Sequence, residues 1–241
     1  MNTSAANNTL KLSNRLSAAA AMVREGTRVA DVGCDHGKLS AWLLLSGRCR
    51  FAYAIDISKP SLQKAADLFV SLKLNEVTKT IHDNGLNGVS ADEVDDIVIA
   101  GLGGDSIMAI IDSTEWLKDN SKHLVLVAAS RQALVRRHIY RTGFQIIKEQ
   151  PVLDAGHYYS VMSVEYTGVL LEISNICAEL GSIKPYDSVN VAYINWVYTR
   201  AKNRLLGLKQ AKTNHQNNIK LQQDQELLEF IRAHYKEYLE L

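Results

Sequence analysis

The chain reads as a doubly wound, mainly parallel α/β sheet followed by a C-terminal helical hairpin, and three observations predict it. Short apolar runs alternate with helix-length stretches from residue 28 to residue 141, the spacing of βαβ units. Several of those runs, 96–100 among them, are continuously apolar, as strands covered on both faces are. After Gly168 no strand-like run returns, and residues 191–241 carry helical spacing in a background of Asn, Gln, Lys and Glu.

Each element has its own signal. Residues 10–23 predict an amphipathic helix with Ser13 near its start and an Ala-rich body. Residues 28–32 form a strand that ends in the Gly-containing turn 33–37, and 39–45 a helix. A second strand covers 50–55, then a helix over 60–72 with Pro60 in its first turn. Strands follow at 77–82 and 96–100, a helix after Gly103-Gly104, a strand at 123–129 and a helix at 132–141. Residues 144–152 and 158–166 pair around a turn near 154–156, which places an antiparallel hairpin on the parallel sheet. The crossovers are expected to be right-handed. In the tail, Tyr193, Val197, Ala201, Leu205 and Leu208 share one stripe; Ile219, Leu227, Phe230, Ile231 and Tyr238 share another. Residues 213–218 (TNHQNN) lie between them as the turn. The division falls at 10–167 for the sheet domain and 168–241 for the hairpin, whose plainest use is to cap the sheet.

Composition narrows the class. The 241 residues hold 27 Lys+Arg against 26 Asp+Glu, a net charge of +1, and 46% are hydrophobic, as in ordinary globular chains. A body of this length buries enough surface to fold without a metal or a disulfide. No apolar run approaches the ~20 residues of a membrane helix, so a soluble, cytoplasmic protein is expected. Cys34, Cys49 and Cys177 are odd in number and show no CxxC spacing, which suggests reduced thiols used as small core residues. The seven histidines form no HxxxH or HExxH pattern, and no metal is expected.

In an open parallel sheet ligands bind beyond the carboxyl ends of the strands. There the first strand carries DVGCDHG (Asp31, Gly33, Asp35, His36, Gly37) and the second ends in Asp56-Ile57. The third is followed by Asp83-Asn84-Gly85, and the fourth ends in Ala100-Gly101-Leu102-Gly103-Gly104. A dinucleotide fingerprint needs glycines at 33, 35 and 38, but Asp35 and Lys38 stand there, and no GxxxxGK[ST] occurs. The pattern suits a cofactor with a ribose and a cation but no phosphate. Gly33 lets the chain turn close to the ligand, Asp56 can accept from ribose hydroxyls, and Asp31 and Asp35 supply negative charge; S-adenosylmethionine fits. The plainer alternative is turn chemistry without a ligand.

LSNRL (12–16), DVGCDHG, NGL (84–86), IAGLGG (99–104) and the helical tail together resemble the bacterial TrmK-like tRNA (adenine-N(1)) methyltransferases. The resemblance runs from residue 10 to the C-terminus. It implies a Rossmann-like class I domain with a seven-stranded sheet, S-adenosylmethionine as donor, and methylation of adenine 22 in the D-arm of tRNA. It places Asp31, Gly33, Asp35, His36, Asp56 and Gly101 in the cofactor pocket, to which Gly37, Ile57, Asp83, Asn84, Gly85 and Ala100 are added as neighbours. The chain departs from the family pattern twice. Asn84 stands where Gly-Asp-Gly-Leu would put a carboxylate, and an amide can still bond the cofactor's adenine. Val127-Ala128-Ala129 replaces Gln-Pro-Asn after the fifth strand, at the expected mouth of the base pocket.

The chemistry agrees with N(1). That ring nitrogen carries an in-plane lone pair and attacks a methyl sulfonium without losing a proton, so orientation and water exclusion suffice. No catalytic residue is assigned; His36 and Asp35 are the nearest polar groups, and His36 serves equally as a structural part of the loop. The base must leave its stack to react, with Tyr158 and Tyr159 as candidate platforms, against the plainer role of sheet-edge packing. Two segments lack carboxylates: 131–148, with Arg131, Arg136, Arg137, Arg141 and Lys148, and 200–220, with Arg200, Lys202, Arg204, Lys209, Lys212 and Lys220. On a balanced protein that is the footprint of a phosphate backbone, the plainer reading being solvated helix faces. The expected tRNA-contacting set is Arg15, Gly103, Gly104, Arg131, Lys202, Arg204 and Lys209. The oligomeric state stays open and is compatible with a monomer. Two alternatives remain: a non-catalytic tRNA-binding module that keeps the pocket, motivated by Val127–Ala129, and a methyltransferase with another substrate.

Overall fold

The structure, a computed structural model, describes residues 10–210 and 215–239. Its elements are α1 (Asn14–Met22), β1 (Thr27–Val32), α2 (Lys38–Leu45), β2 (Cys49–Asp56), α3 (Lys59–Ser71), β3 (Thr78–His82), β4 (Asp96–Ala100) and α4 (Gly104–Ser113). They continue with β5 (His123–Val127), α5 (Gln132–Arg141), β6 (Phe144–Asp154), β7 (His157–Tyr166), α6 (Asn175–Leu180), α7 (Ser188–Gln210) and α8 (His215–Tyr235). The seven strands form one sheet in the order β3-β2-β1-β4-β5-β7-β6. All neighbours are parallel except the pairs of β7 with β5 and β6.

Both faces of the sheet are covered, which is why β4 and β5 are apolar at nearly every position. On one face Ile97, Ile99, Leu124 and Leu126 pack against Ile107 and Ile111 of α4 and Val135 and Ile139 of α5. On the other, Val29, Val98, Val125 and Val127 meet Ala19 and Ala20 of α1 and Leu39 and Leu43 of α2. Ala54 packs below α2 and α3 through Ala41, Leu62, Ala65 and Phe69. Strand order reverses beside β1, between β2 and β4, so the crevice expected of such sheets opens at their carboxyl ends.

Local chemistry sets the boundaries. The Ser58 side chain accepts from Ser61 N and caps α3, with Pro60 in its first turn. Ala155 (φ +48°) and Gly156 (φ +79°) make the two-residue turn between β6 and β7, both in the left-handed region that such turns require. Helix α1 is shorter than the 10–23 expected, and β5 stops at Val127 rather than 129. Past Val127 the chain bonds to the loop after β4 instead, with Gly101 N donating to Val127 O and Ala129 N to Leu102 O, both at 2.9 Å.

Helices α7 and α8 form the antiparallel hairpin around Tyr193, Ile194, Val197, Leu227, Leu228 and Ile231. Three expectations are corrected here. Residues 215–218 of the expected turn belong to α8, and its first residues, 213 and 214, lie outside the described residues together with Lys212. Ile219 faces solvent, and Leu228 takes a core place instead. Cys177 is exposed, while Cys34 and Cys49 are the core thiols, raised by burial, Cys49 to about 12. Helix α6 was not expected; Ser174 caps it through Cys177 N.

Arg136 of α5 fixes the hairpin to the sheet. Its guanidinium is fully buried and donates to Glu149 Oε1 of β6 (2.7 Å), the Ala178 carbonyl of α6 (2.7 Å) and the Tyr193 hydroxyl of α7 (3.0 Å). Burial acts to raise the Glu149 carboxyl, but the Arg136 charge and bonds from Ser160, Ser182 and Arg136 hold it below the usual range.

Candidate cofactor and substrate site

The turn after β1 is held by backbone bonds to β2, because Gly33 N and Cys34 N both donate to the Ile55 carbonyl, at 2.8 and 3.0 Å. Gly33 has φ +74°, and a Cβ there would lie 2.8 Å from Leu102 Cδ2. A side chain is therefore excluded twice, by conformation and by the leucine that bridges to the β4 loop. Asp35 follows at φ +51°, and its amide donates to Asp56 Oδ2 at 3.0 Å while Ser58 N donates to Oδ1 at 2.8 Å. The Asp56 carboxylate at the end of β2 is thus fixed by one backbone N–H on each oxygen. A carboxylate has about four acceptor positions, so two remain for a ligand. Gly37 lies flush on Ala65 and Phe69 of α3, which seats the start of α2.

The remaining predicted cofactor residues divide. Ala100 and Gly101 end β4 beside β1; Gly101 has φ +107°, and the Arg15 guanidinium lies 3.3 Å from where its Cβ would be. Ile57 and Asn84 are exposed at the ends of β2 and β3, and Gly85 (φ +122°) turns the latter loop. Asp31 and Asp83 are corrections. Asp31 is 3% exposed and accepts from Ser40 Oγ at 2.8 Å, so it underlies the loop instead of facing a ligand. Its burial raises the carboxyl to about 6, against the Ser40 bonds and with a small further push from Asp56. Asp83 is turned into its own loop by Asn84 N (2.7 Å) and Gly88 N (2.6 Å). His36 sits on the α3 side of the rim, 3.2 Å from Lys64 Nζ and 3.3 Å from Asp35 Oδ1, which supports its reading as a loop residue.

Opposite the Asp56 side, α1 brings Arg15 to the end of β4. Asn14 anchors the helix on the β6–β7 turn, its amide donating to Asp154 Oδ1 (3.1 Å) and its side chain to the Leu153 carbonyl (2.9 Å). Arg15 then lies over the Tyr159 ring, 5.4 Å from its centroid, with Nε 3.5 Å from Asp154 Oδ2. Gly103 pairs with Ser130, and a Cβ on Gly104 would come within 2.8 Å of the Ser130 carbonyl, so α4 starts hard against the loop after β5. Val127 and Ala128 are buried in the two apolar layers, and only Ala129 of that triplet is exposed at the mouth, next to Ser130.

Beyond Ala129 and Ser130 a cleft of about 1160 Å³ runs between the sheet and the hairpin. Arg131, Arg137 and Arg141 line one wall, Arg200, Arg204 and Lys220 the other, with Tyr158, Tyr193 and Trp196 between. Arg204 is corrected as a phosphate ligand: it donates to Asp224 Oδ1 at 2.6 Å and reaches Glu179 at 3.1 Å, and its charge is spent inside the hairpin. Arg131 pairs with Asp105 at 2.8 Å in the open. Lys202 and Lys209 are exposed on α7 and do not line the cleft. Trp196 carries no weight in the sequence reading, although its i, i+4 spacing from Arg200 was a usable signal. Among the described residues no group of three His, Cys, Asp or Glu side chains is placed to hold a metal, and no helix is long and apolar enough to cross a membrane.

Residues 12–162 match a family described as a methyltransferase domain. The chain is 28% identical over 158 residues to the tRNA (adenine(22)-N(1))-methyltransferase of Bacillus subtilis, covering 66% of each chain. A relative from Mycoplasma pneumoniae is 32% identical over 140 residues, 57% of this chain and 62% of its own. The chain thus spans just under two thirds of the length of the curated relatives it matches. Among solved structures, a Streptococcus pneumoniae protein in complex with S-adenosyl-L-methionine is 25% identical with a TM-score of 0.75, covering 89% of this chain and 98% of that one. The B. subtilis TrmK structure shares the fold at 24% identity and a TM-score of 0.78, over 93% and 98% of the two chains.

Proposed function

The chain belongs to the methyltransferase-domain family, and from that premise we propose that it transfers a methyl group from S-adenosylmethionine to N(1) of adenine 22 in the D-arm of tRNA. One observation carries the reading: the ends of β2, β1 and β4 form a single mouth, with the fixed Asp56 carboxylate at one side and Arg15 over Gly101 at the other. The B. subtilis relative, a tRNA (adenine(22)-N(1))-methyltransferase, supports the acceptor.

The residues present fit a cofactor that holds a ribose and a cation. Asp56 keeps acceptor positions for two hydroxyls, and the exposed Asp35 carboxylate stands on the adjoining turn. The same carboxylates would repel a pyrophosphate. Asn84 is exposed beside the mouth and would offer its amide to the cofactor's adenine edge. When bound, S-adenosylmethionine supplies a methyl group on a cationic sulfur.

The chain's own residues orient the acceptor and exclude water. N(1) needs no base; Gly103 brings no side chain of its own to the mouth where a flat base would approach, and Arg15 borders that approach over Gly101. Methylation leaves a positive charge on the adenine, so a cation facing the base edge would oppose the product. Arg15, already leaning on Asp154 and Tyr159, therefore serves the phosphate of the flipped nucleotide.

The test is tritiated methyl transfer to paired tRNA transcripts with adenine or guanine at position 22, with reverse-transcription stops read on the products. Label confined to the adenine transcript, with a stop at that base, is the expected result. Label at another position would move the substrate within the same enzyme class. Tight binding of cofactor and tRNA without any label would favour a non-catalytic module, the reading that Val127–Ala129 motivates.

A further inference from the structure

The cleft between sheet and hairpin is larger than the roughly 300–1,000 Å³ of small-molecule pockets, and its charges do not cancel. Arg131, Arg141 and Arg204 are paired with Asp105, Glu172 and Asp224. Among the described residues Arg137 donates to neutral acceptors, the Ile173 carbonyl and Asn175 Oδ1, both at 3.0 Å. Arg200 lies 4.4 Å over the Trp196 ring and, like Lys220, has no carboxylate in ion-pair contact among the described residues. Three cations without an ion-pair contact among the described residues, from α5, α7 and α8, thus converge on one groove, with the Glu172 carboxylate within electrostatic reach of Arg137. Between them stands an aromatic cluster in which Trp196 packs 5.7 Å from Tyr158 and 5.4 Å from Tyr193.

A guanidinium resting on an indole is held in place by its π-face while its N–H edge and outer face stay open. The edge suits a phosphate, and the outer face suits a base, because guanidinium planes stack on unpaired bases as aromatic rings do. The cleft begins at Ala129 and Ser130, the lip of the mouth where the methyl group is transferred. A strand whose target base is flipped into that mouth must unstack its neighbours as well.

We infer that this cleft seats a second, unpaired nucleotide of the same RNA, next to the methylated adenosine, with its phosphate between Arg137, Arg200 and Lys220 and its base on the Trp196–Arg200 face. The inference rests on the tRNA reading above and adds to it a defined path for the strand.

The test uses the full chain and a tRNA transcript, with affinity measured by filter binding over a range of salt. Arg200→Gln and Lys220→Gln should each lower the slope of log K against log salt by about one. The KM for tRNA should rise, while S-adenosylmethionine affinity and kcat stay as in the parent protein. Trp196→Ala should weaken RNA binding about tenfold, and Trp196→Tyr should restore most of it. Arg200 and Lys220 are exposed on helix surfaces, so their glutamine variants keep the test valid if Trp196→Ala fails to fold. Unchanged slopes in both charge variants, with the parent protein methylating tRNA, would overturn the second-nucleotide seat alone. A steep parent slope that the variants reduce, without methyl transfer by any of them, would overturn the methyltransferase reading and leave the seat standing.

Discussion

Asp31 shows how far burial alone can move a side chain. Its carboxyl is raised to about 6 by desolvation, although Ser40 bonds it. The folded state therefore holds its proton more tightly than the unfolded chain does. Linkage then makes this group lower stability as pH rises from about 4 to about 6, with the full penalty present above that window. At 1.36 kcal/mol per pKa unit the penalty is about 3 kcal/mol. Asp31→Asn should gain stability over the parent protein by that order between pH 4 and pH 7 in urea titrations; a constant difference would reject the assignment. Asp56 is the contrasting case, half-buried, pinned by two amides and turned outward. Asp56→Ala should weaken S-adenosylmethionine binding about 10- to 100-fold by calorimetry, from the loss of hydrogen bonds to a charged acceptor.

Elements meet here through a few side chains that leave no room for substitution. The β1–α2 turn and the loop after β4 touch where Leu102 covers Gly33. Gly33→Ala should strain the turn and displace Leu102, lowering cofactor affinity more than thermal stability, measured side by side on one preparation. The α5–β6–α6–α7 junction depends on Arg136 and Glu149, both sealed from water. Removing one member strands the other charge in the interior, at a cost of about 3–5 kcal/mol. Arg136→Ala should therefore lower the melting temperature sharply, and the double variant Arg136→Met with Glu149→Gln should recover much of the loss.

Taken as a whole, the molecule is nearly neutral yet sets Arg137, Arg200 and Lys220 along one groove. Strand β7 ends at Tyr166, and the elements that follow it are helices. Helices α6 and α7 supply the Ala178 carbonyl and Tyr193 hydroxyl that satisfy Arg136 of α5. A fragment ending at residue 167 should accordingly lose cooperative melting, whereas the full chain melts as one unit. Calorimetric scans of both would decide it, and a stable fragment would favour two domains divided at 167/168.

Much of this protein was legible in its residues. The order of elements through β7, the limits of β4 and α5, a turn near 154–156 and the two-faced burial of the central strands follow from apolar periodicity, glycine and proline placement, which act within a few residues of chain. So does the gathering of Gly33, Asp35, Asp56 and Gly101 at one edge, since parallel strands must bring their carboxyl ends together. What the residues could not reveal is which charges are spent. Asp31 and Asp83 carry the same carboxyl as Asp56, yet Ser40 and the 83–88 loop consume them. Arg204 has the same guanidinium as Arg200, yet Asp224, twenty residues on and across the hairpin, neutralises it. Those outcomes depend on partners far apart in sequence, and only the tertiary structure brings them within the few ångströms over which a hydrogen bond or an ion pair acts.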